Sequence, residues 1–253
     1  MNRQVEPELL DELPPADRGA IASRRDLQKV NSWMGHARIM DHALAGVFTD
    51  RPPRSIVDLG GGDGTLLLGL AKRMSPRWKG VRALVVDRRQ LLSSRTREQF
   101  AALSWRVESL ETDVFDWLKR PGPEPSDVIV ASLFLHHFRP DDLQRLLHYA
   151  ARQTGLFLAC EPRRAAFALR AAGLLWVIGC NHVTLHDARI SVRAGFLGNE
   201  LSALWPADDA WQLTERQAGR FTHCFVARRT GSGAGCNCSP PDFKDNGHGH
   251  LDL

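Results

Sequence analysis

The chain has 253 residues (28.2 kDa), 43% of them hydrophobic and 25% charged, enough to bury a sizeable core. Its net charge of +4 comes mostly from arginines scattered along the chain; without a clustered basic stripe, a nucleic-acid partner is not expected. The longest apolar run, Ala171 to Cys180, is about half of the roughly 20 residues that span a bilayer, so no membrane span is expected. The N-terminus lacks the apolar core of a signal peptide, and the five cysteines are an odd number with no zinc-site spacing. These features predict a cytoplasmic protein with reduced thiols.

Residues 1 to about 15 are acidic and proline-bearing and read as a loose leader. From Asp17 to about Val47 apolar residues recur near a helical period, with Gly35 marking a break, which predicts two helices ahead of the first strand. Trp33 and Met34 in this cap read either as core or as pocket lining. Ile56 and Val57 then open a short strand that ends at Asp58, breaks into Gly60-Gly61-Gly62-Asp63-Gly64, and resumes as a leucine-rich helix from Thr65 to about Met74. Glycines in such a turn adopt positive φ and let a ligand approach the main chain, and the helix amides point into the same crevice.

The spacing Asp58-x-Gly60-x-Gly62-x-Gly64 fails the Gly-x-Gly-x-x-Gly dinucleotide fingerprint, and no Gly-Lys-Ser/Thr follows for a P-loop. It resembles motif I of the class I S-adenosylmethionine-dependent methyltransferases. The resemblance implies an α/β, Rossmann-like fold: a seven-stranded, mostly parallel sheet with an antiparallel last strand and helices on both faces. It also implies S-adenosylmethionine as cofactor, with Asp58, Gly60, Gly61 and Gly62 under its methionine and ribose. Val81–Asp87 reads as a second strand ending in the carboxylate that, by the same resemblance, accepts from the ribose hydroxyls.

A helix from Leu91 to Ala102 and a strand over Ser104–Ser109 lead to Glu111–Asp116. This stretch is similar to the family's adenine-side segment, placing Asp113 and Val114 at the adenine and Asp116 at a helix cap, although the two aspartates could exchange roles. After the loop Pro121–Pro125, a strand from Asp127 runs apolar to Ser132 and ends in Leu135-His136-His137-Phe138. Class I methyltransferases that modify quinones and polyketides often read Leu-His-His-Phe at this point. Ser132 to His137 are therefore expected beside the sulfonium, at the carboxyl ends of the strands. Asp141 and Asp142 read as the start of a helix running to about Gln153 rather than as metal ligands with the two histidines, and no metal is expected.

Gly155–Cys160 reads as a fifth strand, followed by Glu161-Pro162 and an insertion from Arg163 to Ile190 with an apolar helix over about Ala165–Ile178. In the family such insertions help to form the acceptor pocket. Ser191 is expected to cap a helix to about Leu204, and Trp211–Thr214 with Phe221–Ala227 to form a closing antiparallel pair. The tail from Thr230 is Gly-, Ser-, Pro- and Asp-rich and reads as disordered; its Cys236-x-Cys238 and His248-x-His250 are weak metal signals. The implied organisation is a leader and helical cap over 1–50, a methyltransferase domain over 51–229 with a substrate-side insertion at 163–190, and a tail over 230–253.

The expected reaction is methyl transfer to a small molecule, most readily a hydroxyl of a phenolic, quinone-like or polyketide acceptor. His136, His137 and His186 are the candidate bases, with Asp187 as an orienting carboxylate. Two alternatives stay open, an RNA or protein methyltransferase and a non-catalytic cofactor-binding scaffold. The Asn/Asp-Pro-Pro-Tyr/Phe motif of amino-group methylation is absent after the fourth strand, which disfavours nucleobase amines.

Overall fold

The structure, a computed structural model, describes residues 1–14, 16–49, 51–120 and 124–231. Seven strands form one sheet in the order β3-β2-β1-β4-β5-β7-β6. They are β1 Ser55–Leu59, β2 Arg82–Asp87, β3 Arg106–Glu111, β4 Ser126–Ser132, β5 Thr154–Pro162, β6 Trp211–Ala218 and β7 Thr222–Arg229. The first five pair in parallel, while β7 is antiparallel to both β5 and β6. This is the expected class I methyltransferase architecture. Strand order reverses between β1 and β4, so the crevice beyond their carboxyl ends is the natural ligand site.

The helices are α1 Leu9–Glu12, α2 Arg18–Met34, α3 His36–Ala45, α4 Thr65–Met74, α5 Ser94–Ala102, α6 Val114–Lys119, α7 Pro140–Gln153, α8 Ala166–Gly173 and α9 His182–Ala194. Alternation along the strands divides the core between the two faces of the sheet. Ile56, Val128 and Leu158 pack with Met40, Leu70 and Phe100 on one face. Val57, Ile129 and Phe157 pack with Leu146, Trp205 and Phe225 on the other.

Several boundaries differ from the sequence reading. The N-terminal segment is not loose. Leu9 N and Leu10 N donate to Asp187 at 2.8 and 3.0 Å, and the Arg3 guanidinium donates to the carbonyls of Ala194, His136 and Phe138. The helix before β3 starts at Ser94, where the Ser93 hydroxyl accepts from Thr96 N at 3.1 Å. Ser104 turns with φ 61°, so β3 begins two residues later than expected. Asp113, not Asp116, is the helix cap, accepting from Phe115 N at 2.8 Å.

The apolar helix of the insertion ends at Gly173 and continues as a 3₁₀ turn over Leu175–Ile178. Ser191 starts no helix, because α9 already begins after Asn181, whose side chain accepts from Thr184 N at 2.9 Å. The tail, with its weak metal signals at Cys236, Cys238, His248 and His250, lies outside the described residues.

Candidate active site

The turn after β1 has its glycine backbone in the left-handed region, with φ of 67° at Gly60, 54° at Gly62 and 74° at Gly64. A Cβ at Gly60 would stand 2.1 Å from the Phe134 ring, so the aromatic residue after β4 packs directly on the turn. At Gly62 a Cβ would meet nothing within 4 Å, so the backbone there faces open space. The turn is tied to β2 through Asp87, whose Oδ2 accepts from Gly62 N at 3.0 Å and Oδ1 from Arg89 N at 2.9 Å.

Beneath the turn, Asp58 is 1% exposed, and its Oδ2 has no hydrogen-bond partner among the described residues. Burial, then the nearby charges of Asp87 and Asp63, push its carboxyl up to about 8, so it holds a proton at neutral pH. An unpaired acceptor in such a place is costly unless a ligand supplies the donor.

Across the crevice, Leu133 takes φ 51° and the chain enters a 3₁₀ turn over Leu135–His137. Glu161, at the end of β5 and fully buried, organises this turn. It accepts from Phe134 N at 3.0 Å, Leu135 N at 2.9 Å, His136 N at 3.4 Å and His136 Nδ1 at 2.8 Å. The other ring nitrogen of His136 faces Glu8 Oε1 at 3.3 Å. Burial would lower the imidazole's pKa, but the hydrogen bonds and charges of Glu161 and Glu8 outweigh it and raise it to about 9. Burial likewise opposes ionisation of Glu8, yet His136 and the Ser191 hydroxyl hold it at about 2.

His137 stacks on His136 with centroids 4.3 Å apart, and its own pKa is lowered, first by burial and then by the His136 charge. His186 is half exposed on α9, with Nδ1 3.1 Å from Asp187 Oδ1. The structure thus brings His136 and His137 together at the post-β4 turn and leaves His186 on the neighbouring helix.

The Ser132 hydroxyl shares a hydrogen bond of 2.8 Å with His36 Nδ1, while His36 Nε2 bonds the Thr222 hydroxyl at 3.0 Å. Burial drives His36 down to about 4, so it is neutral. Val114 is buried in the core layer under the sheet. Next to it, Phe115 meets Phe138 edge-on at 5.7 Å, and Phe138 meets Phe134 at 5.0 Å. Trp33 is not core: it is 71% exposed and lies 5.6 Å from the ring of Phe221, which is 5.4 Å from Phe167 of α8.

Glu161, Glu8 and His36 carry no role in the sequence reading. Glu161-Pro162 looks like a strand end, and the partners of Glu8 and His36 lie about a hundred residues away or more. Gly35 with φ 68° immediately before His36 is the one local signal of a specially placed residue.

Residues 56–154 match the family model of a methyltransferase domain. The chain carries a methyltransferase domain. No curated protein matches the chain by sequence. Among solved structures, it is similar to an O-methyltransferase family protein from Burkholderia thailandensis at 21% identity and a TM-score of 0.55, covering 85% of this chain and 63% of that one. It is also similar to the plantazolicin methyltransferase BpumL, solved in complex with SAH, at 12% identity and a TM-score of 0.60, covering 85% and 92%. A third is the mitomycin 7-O-methyltransferase MmcR, at 21% identity and a TM-score of 0.52, covering 87% and 60%. The chain therefore spans less than two thirds of the length of the Burkholderia protein and of MmcR.

At these identities the likeness is one of fold. The methyltransferase domain's own residues fit an S-adenosyl cofactor: Asp58 presents an orphaned acceptor, and the backbone at Gly62 faces open space that a ligand can enter. No helix among the described residues is long and apolar enough to cross a membrane.

Proposed function

We propose that the chain transfers a methyl group from S-adenosylmethionine to a hydroxyl of a planar small molecule of the phenolic, quinone-like or polyketide kind. The observation that carries this reading is the buried, unpaired Asp58 carboxyl under an open glycine cradle, which calls for a ligand bearing a donor. The cofactor supplies a methyl carbon already activated by its sulfonium, so the protein need only align the acceptor and take its proton.

Asp58 would meet the methionine ammonium. Gly60, Gly61, Gly62 and Ser132 would line the methionine, Asp87 would accept from the ribose hydroxyls, and Asp113 and Val114 would flank the adenine. The tilted rings of Trp33, Phe221 and Phe167 support a flat, aromatic acceptor. They begin one residue from Thr222, whose hydroxyl holds His36 against Ser132 at the end of β4.

Of the three candidate histidines, His186 suits the base best. Asp187 at Nδ1 orients the ring and leaves Nε2 to accept a proton. His136, with both nitrogens committed to carboxylates, is a positioning residue. A small-molecule acceptor without a nucleic-acid partner agrees with the scattered basic charge. Free Cys160, Cys180 and Cys224 support a cytoplasmic setting.

The test is calorimetric titration with S-adenosylmethionine and S-adenosylhomocysteine, followed by methyl-acceptance assays on phenols and quinones. Saturable binding and turnover are expected, with His186→Ala cutting kcat about 10²-fold or more and leaving cofactor affinity intact. Absence of binding to either compound overturns the reading; full activity of His186→Ala overturns the base assignment alone.

A further inference from the structure

Glu8 from the N-terminal segment and the adjacent His136 and His137 bring one ligand atom each to within 4.8 Å of one another. We propose that these three side chains form a zinc site that fastens the N-terminal segment to the turn after β4.

The spacing is the first argument. His136 Nε2 and Glu8 Oε1 stand 3.3 Å apart. That is long for a charge-assisted N–H···O bond of about 2.7–2.9 Å, yet it matches the edge of a tetrahedron with metal–ligand bonds of about 2.0 Å. The donor set of two imidazoles and one carboxylate suits zinc and leaves a fourth position for water. Asp11 stands beside it, with Oδ2 3.7 Å from His137 Nδ1.

The second argument is the shell behind the ligands. His136 donates its Nδ1–H to Glu161 at 2.8 Å, and Glu161 is itself fixed by the amides of Phe134 and Leu135. A carboxylate behind the imidazole is the arrangement that fixes the tautomer and orientation of metal-binding histidines. Ser191 Oγ donates to Glu8 Oε1 in the same way, anchoring the carboxylate from α9. His137 stacks on His136 with ring centroids 4.3 Å apart, which brings both imidazoles to the same corner. On ion binding His136 releases its Nε2 proton, so its contact with Glu8 passes from a hydrogen bond to shared coordination.

In the sequence only Asp141 and Asp142 stand near enough to be weighed with the histidines, and they read as a helix start. Those two belong to the first turn of α7, where Asp142 pairs with Arg145, whereas Glu8 is 128 residues from His136.

The test uses the full chain with Cys236→Ser, Cys238→Ser, His248→Ala and His250→Ala, so that the tail offers no ligands. The protein is stripped with chelator, titrated with Co²⁺, and then with Zn²⁺ against a chromogenic competitor. One ion per chain is expected, with a four-coordinate cobalt spectrum lacking a thiolate charge-transfer band. Affinity should fall at least about tenfold in Glu8→Ala and again in His137→Ala, with circular dichroism of each variant checking that it is folded. Failure to bind saturably, or unchanged affinity in both variants, overturns the proposal. The readout needs no methyl donor, so its outcome is independent of the methyl-transfer reading.

Discussion

Replacing Glu161 by alanine is the sharpest test of how the turn after β4 is held. The carboxylate is fully buried and receives three backbone amides and the His136 ring N–H. Its removal strands the His136 imidazolium with only the longer contact to Glu8 at 3.3 Å. Breaking a buried ion pair from one side costs about 3–5 kcal/mol, and a stranded buried amide adds about 1–3 kcal/mol, so the loss should be at least about 4 kcal/mol. At about 2–4 °C per kcal/mol for a chain of this size, Tm should fall by roughly 10 °C or more.

Glu161→Gln keeps one acceptor but no charge and should fall between the two. The double change Glu161→Met with His136→Leu removes both charges and should recover part of the loss, because the penalty resides in the unpaired partner. Urea unfolding followed by circular dichroism gives the free energies. A Glu161→Ala protein within about 1 kcal/mol of the parent would refute the argument that this carboxylate organises the turn.

Three further outcomes follow from the same geometry. Gly62→Ala meets no atom but must hold φ 54°, so it should cost about 1 kcal/mol in stability while lowering S-adenosylmethionine affinity at least about tenfold; equal affinity by calorimetry would misplace the cradle. At pH 7 the unliganded Asp58 carboxyl, raised to about 8, is protonated, so an ammonium placed on it should release close to one proton, about 0.9 by simple titration. Binding heats should then differ between buffers of unlike ionisation enthalpy, and identical heats would contradict the assignment.

His136 is raised from 6.5 to about 9. Both folded and unfolded states carry its charge below about pH 6.5, and only the folded state keeps it between there and about 9. Its contribution to stability is therefore lost as pH rises through that window. Tm should decline from pH 6.5 to 9, and the decline should flatten in His136→Gln.

What could be read from the sequence was local. The glycine turn, the acid at the end of β2 and the Leu-His-His-Phe run each sit within a dozen residues of the strand that presents them, so spacing alone reveals them. The parallel order followed from strands alternating with helices. Helix ends went wrong where a side chain chose between caps: Asn181 reaches Thr184 N and takes the role assigned to Ser191, and Asp113 caps where Asp116 was expected.

The residues that shape the turn after β4 were invisible for a different reason. Glu161 closes a strand and acts on amides about 26 residues earlier. His36 lies in a cap helix and acts on two strands at once. No periodicity encodes a partner chosen by the fold.

The docking of the N-terminal segment bears on how the chain matures during synthesis. Arg3 bonds to Ala194, 191 residues later, and Glu8 to Ser191, 183 residues later. Residues 3–8 must therefore wait, unpartnered, until α9 has emerged behind the five parallel strands. Contacts of such long range form late, after the loop between them has closed. The five parallel strands can assemble as a unit around the glycine turn beforehand, and the N-terminal segment then closes over a turn already formed.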